Sequence, residues 1–172
     1  MSNPLDTPLA YCTEKVCKPA SSLHYATVFS PPLAKAFWLG CFTLDHELRQ
    51  ASLRQLDAGL TQVKLGWWRN ALVDIQANPQ ATGNLHPVLR AIGPATLAAV
   101  PAEIWANLIE QTVSLCTPTP HNTQADWDNA LGQLAHPWLP VLQAQWKAAN
   151  PEAAGLQAEG WQDAVAWWVK AA

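Results

Sequence analysis

The chain has 172 residues, of which 49% are hydrophobic and only 13% charged, with a formal net charge of −3; this is length enough for one domain with a real core. An ordinary soluble domain carries about 25% charged residues, so much of this surface is neutral or covered by a partner, and no basic face exists for nucleic acid. Cys12, Cys17, Cys41 and Cys116 form no C-x-x-C pair, and neither a signal-peptide start nor an apolar run of transmembrane length appears, so the default expectation is a soluble, reducing, cytoplasmic setting.

Residues 1–20 contain Pro4, Pro8 and Pro19 and no clear period, and read as an irregular lead-in. A helix is predicted from Ser30, an N-cap residue, with Pro31 at its first position. Leu33, Phe37, Cys41, Leu44 and Leu48 recur at three- and four-residue steps and make one core stripe, widened by Trp38 and Phe42. Cys41 in that run reads as a small buried hydrophobe. The next helix is predicted over about 57–76, with Leu60, Val63, Trp67, Ala71 and Ile75 on one face, and Leu56, Leu65, Trp68 and Leu72 beside them. "ANPQATGN" breaks it. A short helix follows over about 86–92, ended by Gly93-Pro94, and another is opened by Pro101 over about 101–116. Asn122 or Thr123 can cap a further helix, which Pro137 and Pro140 break or kink. "GWQDAVAWWVK" reads as a terminal helix. No segment alternates with a two-residue period, and no repeat is apparent. The predicted class is all-α, a bundle of helices with mostly short connections, in one domain over 21–172.

Four blocks in this order carry a resemblance: "SSLHYATVFSPPLAKAFWLGCFTLDHELRQ", "KLGWWRNAL", "HPVLRAI" and "VPAEIWANLIEQTVSL". They resemble successive blocks of the squalene/phytoene synthase family, over about residues 21–116. The resemblance implies the all-α isoprenoid (terpenoid) synthase fold, here its N-terminal half, and head-to-head joining of prenyl diphosphates as the family chemistry. Such enzymes hold Mg²⁺ with clustered carboxylates, because a hard cation takes oxygen ligands. Here the family's first Asp-Asp-x-x-Asp falls on Arg49, Gln50 and Leu53, none of which is an anionic ligand. The family's second acidic motif is absent too, since the chain runs instead into "KAANPEAAGL". No cofactor is therefore expected.

The resemblance leaves Ser22, Tyr25, His46 and Glu47 as candidate pocket residues, and Trp67, Trp68, Arg69, His86 and Pro87 as structural residues of the family motifs. Trp67 and Trp68 are expected to be core. Arg69 is expected in a buried or half-buried ion pair or a helix-end hydrogen bond; Asp74, five residues on, is not on its face. Asp45, His46 and Glu47 are adjacent on a helix and cannot converge on one ion, and Glu47 is expected to pair with a basic group or face water. Asp126 and Asp128 diverge similarly and read as helix-start residues. His86 and His136 each precede a proline, with no nucleophile at a recognisable spacing. Trp161, Trp167 and Trp168 are expected to cover the bundle or to dock another subunit. No residue is assigned a catalytic, cofactor or metal role. The expectation is a non-catalytic, squalene/phytoene-synthase-like protein that binds a protein partner or itself. The alternatives are a prenyl-lipid-binding protein, or a prenyltransferase subunit completed by another chain's acidic motifs.

Overall fold

The computed structural model describes residues 7–30, 32–53, 58–80, 85–115 and 138–149. Cys116, Asn122, Thr123, Asp126, Asp128, His136, Pro137, Trp161, Trp167 and Trp168 lie outside the described residues. Within them every regular element is a helix: α1 (Pro8–Val16), α2 (Ser22–Phe29), α3 (Pro32–Leu53), α4 (Ala58–Ala77), α5 (Pro87–Ile92), α6 (Pro94–Ala99), α7 (Ala102–Leu115) and α8 (Leu139–Ala149). The all-α class holds. None of these helices is long and apolar enough to cross a membrane.

The first correction falls on the supposed lead-in, because residues 8–16 are helical. Thr7 caps α1, its Oγ1 accepting from the Ala10 N–H at 3.2 Å, and Pro8 occupies the first turn, where its missing N–H leaves nothing unpaired. Ser21 caps α2 in the same way, accepting from the His24 N–H at 3.1 Å. The second correction concerns Ser30. It closes α2, donating from its hydroxyl to the Ala26 carbonyl at 2.7 Å, and α3 begins at Pro32. Ser30 lies between two helices, and it ends the earlier one instead of starting the later one.

Helix α3 is the hub, packed against α1, α2, α4, α5 and α7. Leu39, Cys41, Leu44 and Leu48 are fully buried on it. Gly40 is where α5 comes closest. A Cβ there would lie 2.6 Å from Ile92 Cγ1 and 2.8 Å from the Ile92 backbone nitrogen, so only glycine lets the two backbones meet. Gly93 then turns the chain with φ +96°, a region that L side chains rarely enter. Pro94 starts α6 at once, a helix the Gly-Pro break does not predict. Indole N–H groups join the elements: Trp105 donates to the Leu97 carbonyl at 3.1 Å, and Trp138 to Asp45 Oδ1 at 3.1 Å. Both rings are buried, and burial of an indole requires such a partner.

Helix α4 is corrected in its facing. The buried stripe is Thr61, Leu65, Trp68, Leu72 and Ile75, whereas Leu60, Val63 and Trp67 are exposed. Both stripes are apolar with helical spacing, so periodicity finds the helix without choosing the side that faces α3 and α7.

Candidate functional site

Between α3 and α4 lies a solvent-open groove of about 450 Å³. Helix α3 contributes Glu47, Gln50 and Ala51, at steps of three and one that share a face. Helix α4 contributes Val63, Lys64, Trp67 and Trp68, and His86 completes the lining.

The groove wall is an aromatic cluster centred on His86. Its ring meets Trp68 at 5.0 Å, Tyr11 at 5.4 Å and Trp67 at 5.7 Å between centroids, all in edge-to-face geometry. Trp67 and Trp68 meet each other at 4.9 Å. Contacts of this geometry are attractive beyond the area they bury. Trp68 is buried, while Trp67 is 47% exposed, which corrects the expectation that both are core. His86 caps α5, its Nδ1 accepting from the Val88 N–H at 3.3 Å. An accepting Nδ1 places the ring proton on Nε2. Burial pushes the His86 pKa below its ordinary value and Lys15 adds to this, while Glu47 opposes it.

Glu47 is held by α1. Lys15 Nζ lies 3.3 Å from its Oε1, and the Tyr11 hydroxyl donates to the same oxygen at 3.2 Å. Burial, and then the Glu47 charge, push the Tyr11 pKa to about 12. Neither Tyr11 nor Lys15 is among the residues singled out from sequence, because α1 reads there as a tail. The signal was present in Thr7-Pro8 as cap and first-turn proline, with Cys12 and Val16 one turn apart behind them.

The other motif residues scatter. Ser22 and Tyr25 are exposed on α2, with the Tyr25 ring against His24 at 5.6 Å, so they line no pocket with Glu47. His46 is half-buried on α3. Arg69 is exposed and pairs with Glu110 of α7 at 2.9 Å, correcting the buried or half-buried pair expected for it; such a pair is worth at most about 1 kcal/mol. Pro87 opens α5 behind His86.

The donor set does not fit the Mg²⁺ of the family chemistry. Arg49, at the first acidic position, is bound in bidentate fashion by Asp45 at 2.6 and 3.0 Å. Asp45 also accepts from Trp138, so the nearest carboxylate is committed to a guanidinium and an indole. Among the described residues no three His, Cys, Asp or Glu side chains gather as a metal site. Cys12, Cys17 and Cys41 are free and buried. Burial pushes the Cys12 and Cys41 thiols up, and they sit in the core as protonated, inert groups.

What the arrangement can do is bind. It offers a rigid aromatic wall, a lysine and an amide on one open groove, with no nucleophile paired to a base among the groove's lining. No family model matches the chain, and no curated protein and no solved structure is similar to it.

Proposed function

We propose that this chain is a squalene/phytoene-synthase-like protein without the family's reaction, and that it works by binding a protein partner. The observation that carries the partner reading is the outer face of α2. Its inner side is held by Cys17 Sγ, 3.6 Å from the Thr27 hydroxyl and 3.9 Å from His24 Nδ1. That fixes Tyr25, Val28 and Phe29 outward, with Phe29 84% exposed. Steps of three and one place these three on a single face. Clustered aromatic and aliphatic side chains in water are a marker of protein interfaces. The bidentate Asp45–Arg49 pair supports the non-catalytic part of the reading, because it puts a cation where the chemistry needs a carboxylate.

The test is differential capture. The tagged parent and a Val28→Asp/Phe29→Asp variant are expressed in the native cell and crosslinked, and the retained proteins are compared by mass spectrometry. A protein held by the parent and lost by a variant with the parent's melting curve is the expected result. The same proteins retained by both would end the partner reading for this face.

A further inference from the structure

We propose that the groove between α3 and α4 is a binding site for a small aromatic carboxylate, its ring on Trp67 and its anionic end at Lys64. This goes beyond the partner reading, which concerns α2, and neither depends on the other.

The charge argument comes from counting which polar groups in the groove are already used. Glu47 is already engaged, its Oε1 paired with Lys15 at 3.3 Å and accepting from the Tyr11 hydroxyl. Nδ1 of His86 is used by the Val88 N–H. What remains is the Lys64 ammonium, which has no ion-pair partner among the described residues, the Gln50 amide, and the His86 N–H. All three can donate. A groove that offers three donor groups, one of them cationic, is complementary to an anion with acceptor oxygens.

The argument for a ring comes from the wall. Trp67 is clamped by Trp68 and His86 at 4.9 and 5.7 Å, yet nearly half of it is exposed. A rigid, half-exposed indole is a stacking surface whose ordering cost is already met by folding. The groove is open to solvent, and its volume of about 450 Å³ lies in the usual range for small-molecule sites. An alkyl chain gains most from enclosure on every side, whereas a flat ring gains from one good face.

The experiment is isothermal titration calorimetry of the full chain with 2-naphthoate as the probe. Naphthalene-2-methanol serves as the neutral analogue and decanoate as the aliphatic anion. The parent should bind 2-naphthoate at least tenfold more tightly than either comparison compound. Lys64→Gln should lose that tenfold, Lys64→Arg should keep it, and Trp67→Leu should abolish detectable binding. Lys64 and Trp67 are exposed, so the variants should fold, and circular dichroism matching the parent's is the check. No binding by the parent, decanoate binding as tightly as 2-naphthoate, or unchanged affinity in Lys64→Gln would each overturn the assignment. The Val28→Asp/Phe29→Asp chain should bind 2-naphthoate like the parent, so failure of the partner reading leaves this result untouched.

Discussion

At the scale of single residues, His86 joins three roles that sequence shows separately at best. It is the cap of α5, the centre of the aromatic cluster and part of the groove. Its position before Pro87 marks a helix start, but the rings around it come from α1 and α4 and no local pattern announces them. Protonation of Nδ1 would break the cap, and burial already disfavours the cation. With the folded-state pKa depressed below about 6.5, the unfolded chain binds the extra proton first as pH falls. The stability tied to neutral His86 is therefore complete above about pH 6.5 and is lost as pH drops through the folded value. Glu47 works against that loss and Lys15 with it. Thermal melts between pH 7.5 and 5 should show the parent losing stability toward the acid end. His86→Asn, which keeps a capping side chain without a titrating ring, should show a shallower slope. Equal slopes would mean that other groups govern the range. Gly40 makes a plainer case. Gly40→Ala places a methyl group against the Ile92 backbone nitrogen, which cannot swing aside, and should cost about 1–3 kcal/mol, read from denaturant midpoints.

At the scale of elements, helices were legible wherever apolar spacing was long and faces were not in competition. The predicted stripe of α3 is the buried one, with Cys41, Leu44 and Leu48 in the core. Helix α4 carries two apolar stripes and buries the one built on Leu65, Trp68 and Leu72; that choice is made by tertiary packing against α3, α6 and α7, which the spacing within α4 does not encode. Helix α1 is hidden in the sequence because three prolines near a terminus resemble a tail, although Pro8 sits in the first turn, where a helix accepts it. The adjacent tryptophans turn the α4 correction into a measurement. Trp68→Ala removes a buried ring and should cost about 3–5 kcal/mol. Trp67→Ala removes a half-exposed one and should cost about 1–2 kcal/mol. The order is what matters. A Trp67→Ala chain melting below Trp68→Ala would restore the opposite facing of the helix.

At the scale of the whole molecule, the α2 face and the α3–α4 groove are open to solvent among the described residues, and the carboxylates nearest the groove are already paired. The α2 face should make the purified parent associate at micromolar concentrations if it meets its own kind, and Val28→Asp/Phe29→Asp should abolish that in sedimentation velocity. A variant that associates as the parent does would place self-association elsewhere. The sequence resemblance to the squalene/phytoene synthase family poses the larger question of turnover. Mg²⁺ chemistry on a diphosphate needs several oxygen ligands converging on one ion. Asp45 is tied to Arg49 and Trp138, and Glu47 to Lys15 and Tyr11. They stand two residues apart on α3, about 200° around the helix, and point to different neighbours. Bringing them to one metal would mean breaking two partly exposed ion pairs and unpairing a buried indole N–H, a cost of about 2–4 kcal/mol before any binding begins. Incubation with farnesyl diphosphate and Mg²⁺ should therefore release no diphosphate above a heat-denatured control. Release that is abolished by chelation, and restored when Mg²⁺ is returned, would show that these pairs open and that the chain does carry the chemistry its motifs resemble.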